Sequence, residues 1–229
     1  MTQAKPEIHI DRLLRSKRRT ISLEINRDGS LTVRAPKHAS LDEIFALVNS
    51  KHSWITKKQN LAYERAREAP AKKFVNGELF LFMGDLYPLE MVQNLTKPLQ
   101  LDGKFLMAVE SQDNARAIFE KWYRKQAAQV IKPRTAELAA EYGFNFTMLR
   151  ITGAKTRWGS CGPTGSLNFS WRLVMAPSEV IDYVIVHELV HLRIRNHSKH
   201  YWKSVREILP DYQDRLNWLD ENGHHLNLD

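Results

Sequence analysis

Hydrophobic and polar positions alternate along two short runs near the start of the chain, 20–25 (TISLEI) and 31–35 (LTVRA), with the turn-forming NRDG at 26–29 between them. Period-two alternation on either side of a Gly-containing turn predicts a β-hairpin. Beyond Pro36 the period lengthens. Ser40 followed by Glu43 has the form of a capping box, and Ile44, Val48, Trp54 and Leu61 keep roughly helical spacing, so a helix is expected from Ser40 to about Ala66. Alternation returns in 80–83 (FLFM), 87–91 (YPLEM) and 105–109 (FLMAV), punctuated by Gly77, Gly84 and Asp102-Gly103. These runs predict a small, mainly β module with one helix over residues 1–110.

From about 114 to 142 the apolar residues Ile118, Phe119, Trp122, Val130, Ile131 and Leu138 follow helical spacing up to Gly143, with Pro133 expected to kink or divide the helix. A domain boundary is expected just before it, with residues 111–229 forming the second domain. Short strands are expected at 147–151 (TMLRI) and 166–171 (SLNFSW), with TRWGSCG between them at 156–162. A last helix is expected to start at Pro177, with Glu179 and Asp182 near its start complementing the helix dipole. The fold class expected is α+β.

Charge adds an asymmetry. Of the 34 Lys and Arg, 16 lie at or before Val75 together with 8 of the 26 Asp and Glu, while the remaining 18 and 18 balance. The basic N-terminal part is either a surface for nucleic acid or another polyanion, or a solvated basic face without interleaved aromatics. No apolar run approaches the ~20 residues of a membrane span, and the first residues lack a signal-peptide core, so a cytoplasmic protein without a membrane contact is expected. The lone Cys161 excludes an internal disulfide and a multi-cysteine zinc site. Any metal must rely on His and carboxylates.

Such a set is present on the last helix, which reads His187-Glu-Leu-Val-His191. Residues four apart share a helical face, so both imidazoles can reach one tetrahedral zinc ion, while Glu188 is turned to hold the water as general base. Val180, Val184, His187 and His191 form one continuous face, which predicts buried imidazoles in need of partners; core histidines satisfied by backbone groups are the plainer alternative. A catalytic zinc keeps three protein ligands and an open position. His197 is the first candidate for the third, brought back over the metal if Asn196 ends the helix in the left-handed conformation. His200 follows it, on a new helix capped by Ser198, and Glu207 comes after. Arg157, His200 and Tyr201 are candidates for transition-state or substrate contacts by proximity in sequence. Cys161 is either a removable extra ligand or an inert thiol, and His224 and His225 are expected on the surface.

The block 157–161 (RWGSC), 167–173 (LNFSWRL), Ala176-Pro177, 180–184 (VIDYV), 187–192 (HELVHL), 196–198 (NHS) and Tyr201-Trp202, with SKRRTISL at 16–23 and SWI at 53–55 upstream, resembles the YgjP-like metallopeptidase-domain family over nearly the whole chain. The resemblance implies a zincin-type C-terminal domain related in plan to the SprT-like peptidases, with an active-site helix under a small sheet. It further implies zinc on His187, His191 and His197, a catalytic Glu188, and residues 167–171 as the edge strand that pairs with an extended peptide. Ile194 stands where the metzincin pattern has Gly, so the chain is not read as a metzincin. Peptide or protein is therefore the expected substrate. Two rival readings stand beside it: a metal-dependent nucleotide (phosphoanhydride) hydrolase that clamps phosphates with basic residues, and a nucleic-acid-binding module with a structural zinc.

Overall fold

A computed structural model describes residues 8–26 and 28–228, and the chain divides into two compact units, Met1–Pro70 and Ala71–Asp229. Among the described residues it is a mixed α+β protein with six α-helices and three small sheets.

In the first unit the expected hairpin is present as β2 (Ser22–Ile25) and β3 (Leu31–Pro36), antiparallel with Ile25 opposite Leu31. Its turn uses Gly29 at φ 79°, and a Cβ there would lie 2.3 Å from the Tyr63 ring, so only Gly fits. A strand absent from the sequence reading, β1 (Arg12–Ser16), pairs parallel with the other side of β3. Central β3 buries Leu31, Val33 and Ala35 fully, and these pack with Ile44 and Val48 of α1 (Leu41–Ser50) and Ile55 of α2 (His52–Glu68). The Ser40–Glu43 capping box forms as expected, with both reciprocal bonds made. The single helix expected through Ala66 is instead two, joined at Lys51. Within the basic run, Arg15 is committed to structure: its Nη1 donates to the carbonyls of Pro36 (3.2 Å) and Ala39 (2.6 Å), fastening the turn before α1.

The second unit begins at Ala71, whereas the sequence pattern put a boundary near residue 110. The reason is a shared core. Strands β4 (Leu79–Phe82), β5 (Asp85–Val92), β6 (Leu99–Asp102) and β7 (Lys104–Ala108) form a sheet in the order β4-β5-β7-β6, and their Phe80, Leu89, Phe105 and Met107 pack with Phe119 and Tyr123 of α3 (Ala115–Glu141). Phe80 and Phe119 stack at 4.3 Å, so the helix that the sequence pattern assigned to the second domain completes the core of these strands. Helix α3 runs through Pro133 without dividing. Burial of Phe119, Tyr123, Ala127, Ile131 and Leu138 along one face outweighs the ~3 kcal/mol a mid-helix proline costs.

The other sheet contains β8 (Met148–Thr152), β10 (Ser166–Ser170) and β9 (Gly159–Cys161), in that order, with β10 central. The run 167–171, expected as the edge strand, therefore lies in the middle, with β8 and β9 at the two edges. Helix α4 (Ser178–Val190) packs against β9 and is apolar on every side: Val180, Ile181, Val184, Ile185, Val186, Leu189 and Val190 are all buried. A helix hydrophobic all round belongs at the centre of a domain. Arg134 of α3 braces it with a two-pronged pair to Asp182 at 2.8 and 2.7 Å. Helices α5 (Lys199–Ile208) and α6 (Tyr212–Asn222) close its other sides. No helix among the described residues is long and apolar enough to cross a membrane.

Candidate metal centre

Helix α4 ends at Val190, a turn earlier than the sequence suggested, with His191 as its C-cap. Asn196 is not in the left-handed region. The chain instead leaves the helix in a tight turn closed by the Val190 carbonyl, which accepts from both Arg193 and Ile194 N–H at 3.0 Å. This short loop brings His197 back over the helix. His197 Nε2 lies 3.1 Å from His187 Nε2 and 3.1 Å from His191 Nε2, and the three nitrogens converge on one point.

The donors fit a tetrahedral ion. Ligand nitrogens at ordinary zinc distances sit about 3.3 Å apart along a tetrahedron's edges. His191 Nδ1 lies 2.9 Å from the Ile194 carbonyl, which only accepts, so Nδ1 carries the proton and Nε2 presents its lone pair inward. One proton on His197 Nε2 cannot serve both neighbours, whereas one cation serves all three. His187 is held neutral, its pKa pushed down to about 3, first by burial and then by the other two histidines.

Tyr201 is the floor of this cluster. It is fully buried, its ring stacks on His191 at 4.5 Å and meets His187 and His197 edge-on at 5.3 and 4.8 Å, and its hydroxyl donates to the His187 carbonyl at 2.9 Å. That hydroxyl is a second donor to a carbonyl that also accepts from His191 N–H at 3.4 Å, and it is not available to a substrate. Trp202 stacks on His197 at 5.7 Å and on Tyr212 at 5.4 Å, extending the aromatic wall. The expected cap of α5 is present, Ser198 Oγ accepting from Tyr201 N–H.

Glu188 is 5% exposed, and burial raises its pKa to about 7 against the opposing charge of Arg157. Its carboxyl lies against the backbone of β9. A Cβ on Gly159 would come within 2.6 Å of both Glu188 Cγ and Oε1, although Gly159 has an ordinary φ, so this glycine is there for the close approach alone. Sequence reasoning passed over Gly159; a glycine inside a strand was the signal.

The remaining candidates separate. His200 is exposed and outside the convergent set, as is Glu207, which pairs with Lys203. Arg157 is exposed, and its charge favours the ionised form of Glu188. Cys161 is also outside the set; its Sγ accepts from Arg195 Nη1 at 3.3 Å, and burial is the main cause of its raised pKa. His224 and His225 are half-buried with rings 3.9 Å apart, not on the open surface as expected.

No curated protein matches the chain in sequence. Among solved structures it is similar to the metallopeptidase zymogen jannalysin of Methanocaldococcus jannaschii, with 21% identity over 40% of this chain and 94% of that one at a TM-score of 0.36. It is likewise similar to the metallopeptidase zymogen abylysin of Pyrococcus abyssi, with 20% identity over 38% and 90% at a TM-score of 0.34. The family described as YgjP-like, metallopeptidase domain, matches residues 19–222, both units included. The chain belongs to the YgjP-like metallopeptidase-domain family.

Proposed function

We propose that the chain is a zinc-dependent peptidase in which His187, His191 and His197 hold the ion and Glu188 is the general base. The observation that carries this reading is the convergence of three imidazole nitrogens beside one buried carboxyl. Bound there, zinc supplies a Lewis acid that polarises the scissile carbonyl and makes water nucleophilic near neutral pH. Glu188, whose proton affinity burial has tuned to about pH 7, takes the proton from the attacking water and returns it to the leaving amine nitrogen. Its carboxyl is oriented by the wall of β9 at Gly159. Arg157, the cation whose charge acts on Glu188, stabilises negative charge developing on the substrate oxygen. The free edge of β9 offers unpaired backbone groups beside the helix that carries Glu188, and an extended peptide is the partner such an edge takes.

The test is cleavage of a peptide library by wild type and Glu188→Gln, with and without chelator. Loss of 10²- to 10⁴-fold in rate on removing the base, roughly the range for general base catalysis, and full loss on chelation are expected. Equal cleavage by the two proteins, or indifference to chelator, contradicts the proposal.

A further inference from the structure

Between the second and third histidines the chain carries two arginines that reach in different directions. Arg193 Nη2 donates to the carbonyls of Tyr142 (3.1 Å) and Gly143 (2.7 Å) at the end of α3, with its guanidinium 4.1 Å over the Phe144 ring. Arg195 reaches toward the β9–β10 hairpin. Its Nη1 donates to the Gly162 carbonyl at 2.8 Å and to Cys161 Sγ at 3.3 Å, and its Nη2 donates to the Pro163 carbonyl at 3.2 Å. The Gly162 carbonyl is the same group that closes the hairpin turn, accepting from Gly165 N–H at 3.0 Å. A planar fork on consecutive carbonyls fixes orientation as well as distance, which a lysine cannot reproduce.

The position of Arg195 in the loop gives these bonds their consequence. The residue before it, Ile194, accepts from His191 Nδ1, and the residue two beyond it is His197. The same hairpin carries Gly159, the wall against Glu188. The side chain thus bridges the loop that places two metal donors to the strand that places the base.

We propose that Arg195 is a positioning residue that couples the three-histidine site to the β9–β10 hairpin, so that metal binding orders the strand edge on which the substrate pairs. This rests on the zinc reading above. Coupling is reciprocal: what zinc does to the hairpin, the hairpin does to zinc affinity. Arg195 is exposed, so its replacement leaves the core untouched.

The experiment measures zinc affinity by competition and amide hydrogen exchange over residues 159–165, in the zinc-free and zinc-loaded protein. Wild type, Arg195→Ala, Arg195→Lys and Arg193→Ala are compared. Zinc should slow hairpin exchange roughly fivefold or more in wild type and in Arg193→Ala, whose bonds run to α3 instead. In Arg195→Ala, zinc should still bind, roughly tenfold more weakly, and protect the 191–197 loop while leaving hairpin exchange unchanged; the lysine variant should resemble the alanine. Hairpin protection in Arg195→Ala equal to wild type, or none in zinc-loaded wild type, overturns the proposal alone. Failure of wild type to take up zinc overturns it together with the zinc reading.

Discussion

Gly159 and Glu188 occupy the same space in a way that only one side-chain combination allows. Gly159→Ala places a methyl group 2.6 Å from the carboxylate stem of Glu188, and the stem is held by a helix buried on every side, so the carboxyl must turn away from its strand. Activity should fall at least about tenfold while zinc content stays at wild-type level, since the atoms nearest the added methyl are those of Glu188 and not of a histidine. Metal analysis beside a rate measurement separates the two effects. Tyr201→Phe removes only the bond to the His187 carbonyl and should cost about 1 kcal/mol in denaturant unfolding, leaving the three imidazoles on their aromatic floor.

The buried pair His187 and Glu188 gives the zinc-free protein an unusual pH response. Glu188 moves from 4.5 to about 7 on folding, so its contribution is fully present below pH 4.5 and lost as pH rises toward 7. His187 moves from 6.5 to about 3, so its contribution is present above pH 6.5 and lost as pH falls toward 3. Between pH 4.5 and 6.5 the two slopes oppose, and His191, whose pKa burial also lowers, adds to the histidine side, so the stability of chelated wild type should rise only gently there. In Glu188→Gln only the histidine slopes remain, and stability should rise more steeply than in wild type by up to about 1.4 kcal/mol per pH unit across that window. Chemical denaturation at the two ends of the window checks the sign; a flat Glu188→Gln profile contradicts it.

Among the elements, those governed by neighbours in sequence were legible and those governed by distant partners were not. The Ser40–Glu43 box, the Ser198 cap and the β2–β3 hairpin are local devices, and each forms where the residues specify it. Ser40→Ala should therefore cost about 1 kcal/mol in the stability of the first unit, read by thermal unfolding. Parallel pairing of β1 with β3 spans twenty residues of chain, from Arg12 to Thr32, and leaves no mark in a period-two pattern. Pro133 shows the same limit from the other side. Its local effect is to break a helix, yet the buried face of α3 holds the helix together across it. Because Pro133 is exposed, Pro133→Ala should stabilise the protein by roughly 1 kcal/mol or more, a gain visible as a raised denaturation midpoint.

For the molecule as a whole, the cluster of histidines was more legible than the architecture. Two histidines four apart share one face of any helix, and His197, the first candidate for a third donor, lies 3.1 Å from each of them. The supporting groups were not legible, because Gly159, the Ile194 carbonyl, Tyr201 and Arg195 act across elements whose adjacency is decided by the fold. The division after Pro70 belongs to the same class, since an aromatic core joining β4–β7 to α3 overrides a boundary drawn from a change in periodicity. The central claim is that the three convergent imidazoles are a zinc site, and elemental analysis of purified protein tests it most directly. About one zinc per wild-type chain, lost in His187→Ala and His197→Ala and kept in His200→Ala, is the predicted result. A wild-type chain that carries no zinc and cannot be loaded with it, or one that keeps its zinc without His197, contradicts the account.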